Sequence, residues 1–376
     1  MQKTSAWPLA QAYLVLIVYA SLYPFTGWRD QGIMPWIFIA AAWPKYWTWF
    51  DVISNVLGYV PVGFLLALSV ARRGRRRQSG RTGNAVPMAV AVLATAVLSF
   101  TMESLQTYLP SRVPSNLDFV LNFAGGAIGA IVAALLDITG VVDTWSRFRG
   151  RWFVDDARGA IVLLALWPVA LLFPAAVPFG LGQVSERLEA FLVEWLTDTP
   201  FLEWLPVRDV ELQPLVPGAE LLCVLLGVLI PTLLGFSVLR SVLQRAVCTG
   251  LIVLVGVGTT ALSAALSWGP SHAWSWLSFP VQLGLGFGLL LSLPPMAVPR
   301  RGCAALVLLA GVLHLAMLNQ SVASAYFANT LQTWEQGRFI RFNGVAQWLG
   351  WVWPYAVLLY VLVRVSRADP PTKLAG

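Results

Sequence analysis

The stretch Arg72-Arg73-Gly74-Arg75-Arg76-Arg77-Gln78-Ser79-Gly80-Arg81 packs six arginines into ten residues between two long apolar segments. Short loops rich in Lys and Arg stay on the cytoplasmic face of a membrane. This loop therefore orients every helix drawn on either side of it. The rest of the chain has the composition such a reading needs. Of 376 residues, 57% are hydrophobic and 11% charged, with a mean hydropathy of +0.70. Apolar runs of roughly 18 or more residues recur, the length needed to cross a bilayer. The expected fold class is all-α, a polytopic transmembrane helix bundle of about ten spans. They are drawn near 8–25, 52–70, 86–108, 117–137, 159–180, 218–239, 246–267, 276–296, 303–320 and 347–364, with both termini cytoplasmic.

With residues 72–81 inside, the cytoplasmic segments also hold Lys3, Arg147, Arg149, Arg151, Arg158, Arg240, Arg245, Arg300, Arg301, Arg364, Arg367 and Lys373. The outside keeps Arg29, Lys45, Arg112, Arg187, Arg208, Arg338 and Arg341. Every inner loop is then basic, and no span has to be flipped. The net charge of +7 thus belongs to membrane-flanking loops, which argues against nucleic acid as a partner. Cys223, Cys248 and Cys303 fall inside expected spans without CxxC spacing and read as small apolar side chains. His272 and His314, far apart and without a carboxylate pair, make a poor metal site. Neither a metal nor a cofactor is expected.

A boundary near residue 150 separates a four-helix membrane region, 1–150, from an additional six-helix region, 151–376. The second contains an external segment near 181–217 and an external loop, 321–346. In the segment, Val184, Leu188, Phe191, Leu192, Trp195 and Leu196 share one helical face, as in a helix lying in the membrane interface. The stretch 26–50 is crowded with Trp28, Trp36, Trp43, Trp47 and Trp49, rings that suit the headgroup level.

Charges and amides inside spans are costly in hydrocarbon and mark functional candidates. Here they concentrate at one depth. Asp51 and Asn55 are one turn apart at the outer end of the second span, and Glu103 and Gln106 near the outer end of the third. Arg112 lies in the short external loop, and Asp118 and Asn122 open the fourth span one turn apart. Spacings of three or four residues put each pair on one helix face. Asp118 also sits where a helix dipole favours a carboxylate.

The run Asp51-Val52-Ile53-Ser54-Asn55 with Pro61, Gly63 and Phe64, then Glu103-Ser104-Leu105-Gln106, Arg112, Asp118, Asn122, Gly125 and Gly129, resembles the VanZ-like family over residues 10–137. The resemblance implies an integral, multi-pass protein of a bacterial cytoplasmic (inner) membrane. The family is named for a member linked to resistance against the glycopeptide teicoplanin, and it brings no established catalytic mechanism. The further spans inherit no role from it.

Three readings of the cluster stay open. Arg112 between Glu103 and Asp118 can lock a helix hairpin as an internal salt-bridged network. Alternatively Arg112 grips a phosphate or carboxylate, while Asp51, Asn55, Glu103, Gln106, Asp118 and Asn122 read an envelope component. A lipid-linked wall or polysaccharide precursor fits that description, with membrane lipids as the surrounding partners. Thirdly, Asp51, Glu103 and Asp118 can act as acid and base in a membrane-embedded hydrolase or transferase. The binding reading is preferred. A transporter of an envelope-related solute is the alternative outside this cluster, favoured by Thr259, Thr260, Ser263 and Gln282 in two later spans. Glu335, Arg338 and Arg341 are secondary candidates, expected to form a second wall over the same outer cavity.

Overall fold

The computed structural model describes residues 6–23, 25–77, 85–173, 175–205, 215–321 and 340–366; side chains 50, 72–77 and 340–345 lie outside that description. Among the described residues the chain is all-helical, with no β-strand beyond an isolated Phe153–Leu239 bridge. It divides into two compact units, Met1–Arg151 and Trp152–Gly376.

The first unit comprises α1 (Ala6–Leu22), α2 (Trp49–Arg77), α3 (Ala85–Gln106), α4 (Asn116–Ile138) and α5 (Val141–Trp152). α2 packs chiefly on α4, and α1 and α3 complete the bundle. Small residues permit that contact. A Cβ added at Gly63 would strike the backbone of Gly126, and one at Gly129 would strike the carbonyl of Val60. Backbones this close are typical of helices packed within lipid. α5 is polar and amphipathic and continues from α4 through Gly140, whose φ of 75° suits a residue without a Cβ.

In the second unit, α6 (Arg158–Leu171) is followed by α7 (Ser185–Leu196), α8 (Pro217–Phe236), α9 (Val242–Trp268), α10 (Phe279–Leu291), α11 (Arg300–Leu318) and α12 (Ile340–Ser366). α8 is the central helix, apolar on every side beyond Glu220 in its first turn, and packs against α9, α10 and α11, while α6 lies on α12. A helix hydrophobic all round belongs in an interior. Between α6 and α7 the chain runs without regular structure yet stays buried at Val177, Phe179 and Leu181. Asn319 holds this segment in place. Its Oδ1 accepts from the backbone N–H groups of Val184 and Ser185, and its Nδ2 donates to the Gly182 carbonyl at 3.1 Å.

Among the described residues, eight helices are long and apolar enough to cross a membrane. In the best window of α3 only 22% of residues are buried within the protein; Leu93 and Val97 point outward, as they would against lipid. The chain is a multi-pass membrane protein. Eight of the ten expected spans correspond to these helices. The first and fifth expected spans form shorter apolar helices, Ala6–Leu22 and Arg158–Leu171. At 1.5 Å per residue the latter rises only about 21 Å against a hydrocarbon core of about 30 Å. Pro168 sits in its last turns and Pro178 lies beyond, so the helical hydrogen bonds cannot run on to residue 180.

Candidate functional site

At the end of α2–α4 remote from the arginine loop, the polar side chains are assembled by helix caps and by the glycine contact. Ser115 caps α4: its Oγ accepts from the backbone N–H of Leu117 at 3.2 Å and of Asp118 at 3.3 Å. The N–H of Ser115 itself donates to Glu103 Oε2 at 2.9 Å. Glu103 is only 3% exposed, so a buried carboxylate of α3 ties down the start of α4. Where Gly125 meets the Val56 carbonyl, α2 and α4 lie close enough for Asn55 Nδ2 to donate to Asp118 Oδ1 at 2.7 Å. One turn deeper, Asn122 Nδ2 donates to Ser99 Oγ at 3.1 Å. Asn55 with Tyr59, Ser99 with Glu103, and Asp118 with Asn122 are each four residues apart. Three helices thus offer two polar layers to one another.

The remaining candidates take other posts. Asp51 accepts from the backbone N–H of Thr48 at 3.0 Å and from its hydroxyl at 2.7 Å, while the Thr48 hydroxyl accepts from the Asp51 N–H. That reciprocal arrangement is a capping box at the start of α2. Gln106 Nε2 donates to the Ser21 carbonyl at 2.9 Å. Arg112 Nη2 donates to the carbonyls of Tyr23 at 2.6 Å and Ala20 at 3.4 Å. A cation at carbonyls that a helix end leaves unpaired is doubly favourable, by hydrogen bonding and by the helix dipole. Arg112 and Gln106 therefore fasten α1 to the cluster.

The Trp-rich stretch also belongs to this end. Gln31 Nε2 donates to the Thr107 carbonyl at 2.6 Å, the Arg29 N–H to the Tyr108 carbonyl at 3.0 Å, and Asn116 Nδ2 to the Ala41 carbonyl at 2.6 Å. Phe38, 2% exposed, anchors the loop against Phe100 and Phe119. Residues 25–48 accordingly form the wall above the polar layers. Glu335 and Arg338 lie outside the described residues, and so does the side chain of Arg341.

Three polar atoms in this region are buried without a hydrogen-bond partner: Asn122 Oδ1, Tyr59 Oη and Ser104 Oγ. Tyr59 is 4% exposed; its hydroxyl lies near those of Ser99 and Ser21 without a hydrogen bond of ordinary geometry to either, and within electrostatic reach of Glu103 and Asp118. Leaving such a group unpaired costs about 1–3 kcal/mol. A mostly apolar crevice at the opposite end of α2–α4, lined by Ala67, Leu68, Met88, Ala133 and Asp137, includes none of these groups. Ser99, Tyr59 and Ser115 were not singled out from the sequence. Their signals were present: each lies three or four residues from a residue that was, and Ser115-x-x-Asp118 has the spacing of a helix cap.

Residues 7–137 match the family model described as VanZ/LLP1. The matched segment falls within the first unit and contains every residue of the polar layers. The second unit lies beyond the VanZ/LLP1 match. Comparisons with curated proteins and with solved structures return no match.

Proposed function

We propose that the VanZ/LLP1-like unit binds, and masks or remodels, a polar envelope component at the outer leaflet of a bacterial inner membrane. A lipid-linked wall or polysaccharide precursor is the class of ligand intended. Altered sensitivity to glycopeptides such as teicoplanin follows where that component is their target. The observation that carries the reading is the unpaired Tyr59 hydroxyl beside the unpaired Asn122 carbonyl oxygen, buried among Glu103, Asp118 and Asn55. A network whose whole purpose is structural pairs its own groups. One that awaits a hydroxyl- or amide-bearing headgroup leaves a donor and an acceptor open. Asp51, Glu103 and Asp118 already accept hydrogen bonds from, or are paired with, the chain's own groups. That favours recognition over hydrolytic or transfer chemistry.

Tyr59→Phe tests the reading. In a purely structural core, removing an unpaired buried hydroxyl leaves stability unchanged or raises it. The expectation is an unchanged or higher Tm together with loss of the envelope lipid that the gently purified wild type retains, read by lipid mass spectrometry. Retention by the variant at the wild-type level overturns the proposal. Arg112→Ala is the weaker probe, because it also releases the end of α1.

A further inference from the structure

The second unit contains a separate cavity of about 340 Å³. It lies between the ends of α6, α8 and α9 and the connection that leads into α10, away from the end bearing Arg240, Arg245 and Arg300. Phe173, Phe179, Trp268 and Trp276 provide aromatic walls, and Glu220, Thr260, Ser263, Ser267, Ser275 and Ser278 the polar ones. Among the described residues that line it, Glu220 is the one charged side chain.

What the hydroxyls offer follows from where their protons go. Ser263 Oγ donates to the Leu172 carbonyl at 2.6 Å, Ser267 Oγ to the Ser263 carbonyl at 2.8 Å, and Ser275 Oγ to the His272 carbonyl at 2.8 Å. Ser278 Oγ donates to Glu220 Oε1 at 3.2 Å. A hydroxyl has one proton and two lone pairs, so Ser263, Ser275 and Ser278 present lone pairs to a guest. Trp276 Nε1–H is occupied as well, by the Ala273 carbonyl at 2.9 Å, which leaves its ring. Thr260 Oγ1 is buried without a partner. The cavity is therefore rich in acceptors, carries a carboxylate and is walled by π faces. A phosphate or carboxylate would find repulsion there, and a sugar, which must also accept hydrogen bonds, would find few donors. An ammonium group supplies only donors and a positive charge, and aromatic faces attract it.

The wall itself is held under strain. Phe179 has φ of 63°, in the left-handed region, although it is not glycine. It is 2% exposed and wedged between Gly227 and Gly256 beside Trp167. Strained backbone collects at ligand clamps, and irregular chain at membrane depth is tolerated where it lines a cavity.

We propose that this cavity binds a compact organic ammonium ion, with Glu220 as counter-ion, the serine oxygens as acceptors and the Trp276 ring, backed by Phe179, as the aromatic face. The ion is carried either by a free solute or by a lipid headgroup. The site is independent of the polar layers in the VanZ/LLP1-like unit.

The experiment is calorimetric titration of the full chain, reconstituted in phosphatidylglycerol nanodiscs, with phenethylammonium, the neutral 2-phenylethanol and the anionic hydrocinnamate. The cation is expected to bind at least about tenfold tighter than either isostere, and Glu220→Gln to remove most of that preference. Equal binding of the alcohol, or a Glu220→Gln variant that keeps the wild-type preference, overturns the proposal. In the latter case Glu220 serves only the dipole of α8. With the heats of empty discs of the same lipid subtracted, which removes the attraction of the anionic headgroups, the wild-type series decides even where the variant fails to fold. Weaker binding of the cation in discs containing phosphatidylethanolamine assigns the ammonium to a lipid headgroup, and unchanged binding assigns it to a free solute.

Discussion

Arg245 shows how a single side chain can close a turn at the basic end of the second unit. It is 6% exposed, and its Nη1 donates to the carbonyls of Met296 at 2.8 Å and Val298 at 2.7 Å, with Pro295 at 3.3 Å. Its guanidinium also lies 5.6 Å from the centroid of the Phe236 ring. Arg245→Ala strands several carbonyls and should cost roughly 2–3 kcal/mol, visible as a lowered Tm, whereas a replacement without effect would show that water takes over. Arg112 and Arg245 teach the same lesson about legibility. Each was visible as a basic residue near a span, yet the targets of both are main-chain oxygens. Every residue has such an oxygen, so nothing in the side-chain pattern marks which will need a cation. Asn55 facing Asp118 was legible because both partners carry polar side chains at helical spacing. Ser99 and Tyr59 were harder to see, since hydroxyls in spans commonly bond their own backbone, as Thr95 does to Ala91.

Among the elements, the α2–α4 contact sets the register on which the candidate site depends. Gly129→Val would push a side chain into the Val60 carbonyl and the Phe64 N–H, where only backbone is available to yield. The variant should lose the monodisperse peak in size-exclusion chromatography. Gly58→Val on the partner helix α2, where a Cβ meets nothing within 4 Å, is the matched control and should be tolerated; equal behaviour of the two would remove the packing argument. The long helices were legible from hydropathy alone. The ends of α6 were less so, because the apolar run continues past its prolines to residue 181 while the hydrogen-bonding capacity does not. α7 has no buried residue, and Leu188, Phe191 and Trp195 are all exposed on it. Its apolar face therefore has no cover within the described chain, as expected of a helix lying in an interface.

For the whole molecule, the claim that matters is orientation. Ser79→Cys, within the arginine loop, should stay unlabelled by an impermeant maleimide in intact cells and react after permeabilisation. Ser271→Cys, between α9 and α10, should react in both. The reverse pattern would place both candidate sites in the cytoplasm. The exposed indoles of Trp28, Trp36, Trp43, Trp47 and Trp49 have a consequence at this scale too. Four of them ride on the loop that Phe38 plugs into the first unit and Trp49 opens α2, so none can rise or sink without the bundle. Indole rings settle at the boundary between water and acyl chains, so the five act as a float line. They would hold the carboxylates and amides at the altitude where glycerol and phosphate begin, the depth at which the proposed function needs an amphiphile drifting sideways in the leaflet to meet them.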